Sequence, residues 1–142
     1  MKMSYSTYIS EKKLNKIPNY KLGGLYKFIS VDDREFNKFG EVYFSFVKKN
    51  KIKCWKKHNK MKMNVVVPMG SVKFVFKLND LDNFYEVTIG KNNYKLLTIN
   101  PGIWFGFKGL SENNMVVNLS DIKHSKTEVS NLKKNQINYL NW

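Results

Sequence analysis

The regular succession of short apolar runs is the strongest constraint this chain places on its own fold. Segments 41–47, 51–55, 63–68, 71–77, 84–89, 94–99, 103–107 and 115–119 are rich in Val, Ile, Phe and Tyr. Turn residues separate them: Lys49-Asn50, Met69-Gly70, Asn79-Asp80, Gly90-Lys91-Asn92, Pro101-Gly102 and Glu112-Asn113-Asn114. Runs of that length suit strands rather than packed helices, and a repeat of about 8–12 residues is the pattern of a sandwich or barrel. Within 71–77, Val72, Phe74 and Phe76 fall on one face and Lys73, Val75 and Lys77 on the other, as in a half-buried strand. Alanine is absent, which shifts local preference further from helix. The first forty residues are less regular, with a turn at Gly23-Gly24 and one more strand over 25–31. The tail is expected to carry a short helix over 127–134.

At 142 residues the chain makes one domain, and its 42% hydrophobic and 15% aromatic content is enough to fill a core. No apolar stretch is long enough for a membrane helix, and the N-terminus lacks a signal-peptide core. The expectation is a cytoplasmic protein with no membrane association. The single cysteine, Cys54, rules out an internal disulfide and fits a reducing compartment.

Lysine and arginine total 25 against 11 acids, a formal charge of +14 that attracts phosphates and other anions. Arg34 is the sole arginine, and base reading leans on arginine, so nucleic acid is not the expected partner. A lysine-rich, alanine-free composition also arises from source bias alone.

The densest polar stretch is Lys53-Cys54-Trp55-Lys56-Lys57-His58-Asn59-Lys60. If the strand runs on, a period of two sets Lys56 and His58 on one face, where lysine keeps the imidazole neutral and able to act as a base. The other reading is a solvated strand end with a surface histidine. His124 follows Asp121 by three residues, a spacing that braces a turn as readily as it forms a catalytic pair. Neither histidine lies in a metal-ligand spacing, and no glycine pattern matches a phosphate loop. Trp104, Phe105 and Phe107 are either core or a stacking platform.

Three segments carry a resemblance: Gly40-Glu41-Val42-Tyr43-Phe44-Ser45, Ile52-Lys53-Cys54-Trp55-Lys56-Lys57-His58, and Val67-Pro68-Met69-Gly70-Ser71-Val72-Lys73-Phe74-Val75. A fourth runs from Asn93 through Asn100-Pro101-Gly102 and Gly106-Phe107 to Leu110-Ser111-Glu112. In order and spacing these resemble the dTDP-4-dehydrorhamnose 3,5-epimerase family, in its shorter branch. The resemblance implies an all-β, cupin-type jelly-roll antiparallel barrel over 39–120. An N-terminal arm over 1–38, exchanged in a homodimer, and a tail over 121–142 complete the chain. It implies a nucleoside-diphosphate 4-keto-6-deoxy sugar as ligand, epimerase or isomerase chemistry in surface polysaccharide biosynthesis, and no cofactor or metal.

Aligned on these segments, the family's catalytic histidine position holds Lys56, and His58 is the next residue on that face. The family's downstream lysine falls on Met63, its second histidine on Phe105, and its acid tyrosine near Asn118 or Val117. The resemblance thus marks His58, Lys56 and Lys53 as the catalytic group. It marks Arg34, Glu41, Tyr43, Asn64, Asn118, Asp121 and His124 for substrate contact, Arg34 through an Asp-x-Arg segment. The alternatives are a cupin that binds a nucleotide sugar without turning it over, and a basic nucleic-acid-binding β-domain.

Overall fold

In a computed structural model, which describes residues 4–78 and 83–142, the strand-forming segments assemble into two five-stranded antiparallel sheets. A one-turn helix α1 (Tyr5–Tyr8) leads into β1 (Ile9–Lys13), β2 (Lys16–Ile17) and β3 (Leu25–Tyr26). Then come β4 (Glu41–Lys48), β5 (Ile52–His58), β6 (Met63–Met69), β7 (Ser71–Lys77) and β8 (Tyr85–Gly90). The series ends with β9 (Lys95–Ile99), β10 (Trp104–Gly109), β11 (Asn113–Ser120), β12 (Val129–Asn131) and a 3-10 turn at Lys134–Gln136. One sheet has the order β1-β9-β6-β11-β4 and the other β12-β5-β10-β7-β8, the doubly crossed connectivity of a jelly roll. The expected turn at Asn79-Asp80 lies outside the described residues.

Alternation places the core. Val47, Met63, Val65, Leu97, Ile99 and Val116 from the first sheet meet Val72, Phe74, Phe76, Val87, Ile89 and Phe105 from the second. Each outer face is covered by a terminus. Leu14, Tyr26, Phe28 and Ile29 pack on Val66, Tyr94, Leu96 and Val117. Leu132, Ile137, Tyr139 and Trp142 pack on Trp55, Val75 and Trp104. β1 pairs with β9 of the same chain.

Two expectations need correction. The segment 127–134 is not helical: Val129–Asn131 is a strand laddered on Lys56–His58, because free backbone groups at the edge of β5 outweigh the local helical preference. The expected strand over 25–31 is confined to Leu25–Tyr26, since the following residues turn over the outer face of the first sheet. No helix among the described residues is long and apolar enough to cross a membrane.

Candidate active site

A cavity of about 320 Å³ opens between the sheets. β5 supplies one wall. Its pairing with β10 slips by one residue, Phe105 opposing Lys56 and Phe107 opposing Lys53, so three residues on β5 span two on β10. This bulge re-aims the strand, and Lys53 joins Lys56 and His58 on the cavity wall despite a separation of three. Tyr43 and Ser45 of β4 and Asn118 of β11 face them from the other sheet, with Asn131 of β12 at the edge. Phe74, Phe105 and Phe107 form the apolar part of the lining.

His58 is 3% exposed, and its ring lies nearly parallel to Phe105 at 6.1 Å between centroids. Its Nδ1–H donates to Glu128 Oε1, which fixes the tautomer and leaves the Nε2 lone pair free. Nε2 has no partner among the described residues. Glu128 is also buried, and Oε2 accepts the backbone N–H of Lys60 at 3.3 Å and of Met61 at 3.2 Å. Burial works against the Glu128 carboxylate, but the His58 hydrogen bond and charge with the two N–H donors hold its pKa below the ordinary value. Burial is also the dominant influence on His58 and pushes its pKa down; Glu128 opposes this, and the charge of Lys56 reinforces it. The result is a neutral, oriented imidazole with one free nitrogen in a pocket, the arrangement of a general base.

Tyr43 lies opposite Asn118 in the β4–β11 ladder. Burial raises its pKa, so the hydroxyl keeps its proton at neutral pH and can supply one.

No protein-family model matches the sequence, and no curated protein matches it by sequence. Solved structures do. A dTDP sugar isomerase from Desulfovibrio desulfuricans G20 is 30% identical over 89% of this chain and 85% of its own, with a TM-score of 0.84. The chain belongs to the dTDP-4-dehydrorhamnose 3,5-epimerase-like family of dTDP-sugar isomerases. Two further members share the fold. A variant of the 3,4-ketoisomerase QdtA from Thermoanaerobacterium thermosaccharolyticum, in complex with TDP-4-keto-6-deoxyglucose, is 22% identical over 90% of this chain and 88% of its own, TM-score 0.74. The dTDP-6-deoxy-D-glucose-3,5-epimerase RmlC from Legionella pneumophila Philadelphia 1, in complex with dTDP-4-keto-L-rhamnose, is 15% identical over 89% and 73%, TM-score 0.76.

In this family member the cavity gathers His58, Lys56, Lys53, Tyr43 and Asn118 from among the residues the sequence marked. The other five lie outside its lining. Asn64 points to the outer face, where its amide donates to the Glu35 carbonyl and accepts from Thr98. Asp121 accepts the Lys62 N–H and the Asn37 amide, tying two loops together. Glu41 accepts the backbone N–H of His124, and both His124 and Arg34 are exposed. Asp121 and His124 therefore brace loops, each with other partners. Glu128 is the candidate site residue that the sequence does not reveal. It lies 70 positions from His58, in a tail segment with no patterned spacing, and only the β12–β5 ladder brings the two together.

Proposed function

We propose that this protein is a nucleotide-sugar isomerase or epimerase acting on a nucleoside-diphosphate 4-keto-6-deoxy sugar. The observation that carries the reading is the buried His58–Glu128 pair on the cavity wall, with Nε2 unpartnered among the described residues. A ketone acidifies the hydrogens on its neighbouring carbons. His58 Nε2 removes one as a proton, and the carbon–hydrogen electrons move into an enolate. The carboxylate of Glu128 steadies the imidazolium that results. Lys53 and Lys56 bring positive charge to the same wall, where they offset the enolate oxygen or the diphosphate. Tyr43 carries a proton and is the donor for the return step. Returning the proton to the same carbon from the opposite face inverts a centre. Returning it to the former carbonyl carbon, with loss of the hydroxyl proton, moves the ketone.

The alternative of a binding protein without turnover is disfavoured by the same pair. A buried ionisable couple costs folding free energy, and a passive binder has no need of one.

We also infer a homodimer formed through the outer face of β4. β4 is a sheet edge, and Phe44 and Phe46 on its outward side are 58% and 62% exposed, with Phe39 and Val42 beside them. An apolar edge strand of this kind is covered in stable proteins, and a second copy offers the matching surface. Exchange of the N-terminal arm would preserve the β1–β9 ladder, with β9 then supplied by the partner.

The test is product formation. Incubated with dTDP-4-keto-6-deoxyglucose, the native protein generates a new sugar signal set by proton NMR and His58→Asn does not. An unchanged spectrum with the native protein, under conditions where dTDP binds, contradicts the enzyme reading.

A further inference from the structure

Two asparagines of β11, four residues apart and equally buried, are treated in opposite ways. Asn114, 1% exposed, is fully used by the protein. Its amide donates to the carbonyls of Val47 at 2.9 Å and Ser111 at 2.7 Å, and its Oδ1 accepts the N–H groups of Ser71 at 2.9 Å and Ser111 at 3.1 Å. Those four bonds weld β4, β7 and the approach to β11. Asn118, 3% exposed, has no partner at full hydrogen-bond distance for either Nδ2 or Oδ1 among the described residues, the Tyr43 hydroxyl opposite it making only a weaker contact. A carboxamide hidden from bulk water without a full hydrogen bond is a standing cost, and burial of an unpaired polar group is rare in native structures. The cost is justified where the group faces a ligand. Asn118 lines the cavity on the sheet opposite the His58 wall.

We propose that Asn118 is the residue that grips the sugar ring at the reacting carbons, donating Nδ2–H to the ketone oxygen and accepting the neighbouring hydroxyl on Oδ1. This rests on the isomerase reading of the cavity and assigns the sugar subsite within it. A carboxamide offers one donor edge and one acceptor side by side, and a ketone beside a hydroxyl offers the complementary pair. dTDP has no hexose ring to engage, so with Asn118 bonded to the ring its replacement weakens the sugar nucleotide and leaves dTDP unaffected. As the enolate forms, negative charge builds on the oxygen that Nδ2–H already holds, and the bond strengthens. Near the position where the family's acid tyrosine aligns, at Asn118 or Val117, the chain thus carries a group that polarises the sugar without delivering a proton.

The experiment compares calorimetric binding of dTDP and of dTDP-4-keto-6-deoxyglucose in a His58→Asn background, where the sugar is not consumed, with and without Asn118→Leu. The expected result is loss of at least tenfold in affinity for the sugar nucleotide, with dTDP affinity within twofold. Equal affinity of both proteins for the sugar nucleotide, or a parallel loss for both ligands, overturns the assignment while leaving the isomerase reading standing. Absence of dTDP binding by the native chain overturns both. Thermal unfolding guards against a folding artefact: Tm of Asn118→Leu equals or exceeds the native value, whereas Asn114→Leu falls by about 10 °C. A fall of that size for Asn118→Leu also overturns the proposal, since it makes the residue structural.

Discussion

Burial and three neighbours compete to set the protonation of His58. Burial disfavours imidazolium most, Glu128 favours it, and Lys56 and His124 disfavour it further, with the net pKa below the ordinary value of 6.5. Activity therefore persists on the acid side of 6.5 and falls only as pH drops through the lowered pKa. Replacing Glu128 by Gln removes the favouring anion, so the acid limb of kcat/KM moves to still lower pH. The rate also falls by about 10²–10⁴-fold, because the tautomer and the imidazolium lose their support. Lys56→Met acts in the opposite sense on the pKa and moves the limb upward. A pH–rate profile of the three proteins checks both directions. The same pair links pH to stability. Folded-state pKa values of His58 and Glu128 both lie below their ordinary values, so each group binds protons more readily in the unfolded chain, and Tm falls as pH drops from 7 through the histidine and then the carboxylate range.

At the scale of elements, β5 does most to shape the site. Alternation in the sequence was enough to put Lys56 and His58 on one wall, and enough to place Val72, Phe74 and Phe76 in the core. The bulge that turns Lys53 to the same wall has no sequence signature, because it arises from the register with β10. β12 was illegible for a related reason. Three residues, Val129–Asn131, form a strand only because β5 offers an open edge. With β12 unseen, Glu128 could not be placed, and half of the His58–Glu128 pair was missing from the sequence reading. The turn between β6 and β7 shows the reverse case, in which a sequence signal had a structural cause. Gly70 adopts φ +81°, and a Cβ there would stand 2.4 Å from the Asn113 carbonyl oxygen and 2.4 Å from Asn114 Oδ1. Gly70→Ala is expected to cost about 1–3 kcal/mol through the left-handed backbone and the displaced Asn114. Phe74→Ala, which empties the core beside the cavity, is expected to cost about 3–5 kcal/mol. Urea unfolding measures each as a lowered midpoint at unchanged slope.

For the molecule as a whole, the formal charge of +14 bears on ligand binding. Lys53 and Lys56 at the cavity place part of that charge where a diphosphate would lie, so dTDP affinity is expected to weaken as salt rises and the Debye length shortens from about 10 Å at 0.1 M to 3 Å at 1 M. Affinity that is flat across that range would remove the lysines from diphosphate binding. The apolar outer side of β4 gives a second expectation at this scale. Phe44→Lys with Phe46→Lys is expected to convert the proposed dimer to monomers in sedimentation, while the fold, whose core lies on the other side of the strand, persists by circular dichroism. The central claim concerns one proton, and its exchange with solvent is the most direct measurement. In deuterium oxide with dTDP-4-keto-6-deoxyglucose, the native protein is expected to wash deuterium into a carbon adjacent to the ketone, Glu128→Gln to do so more slowly, and His58→Asn not at all. Equal incorporation by native and His58→Asn proteins would contradict the account.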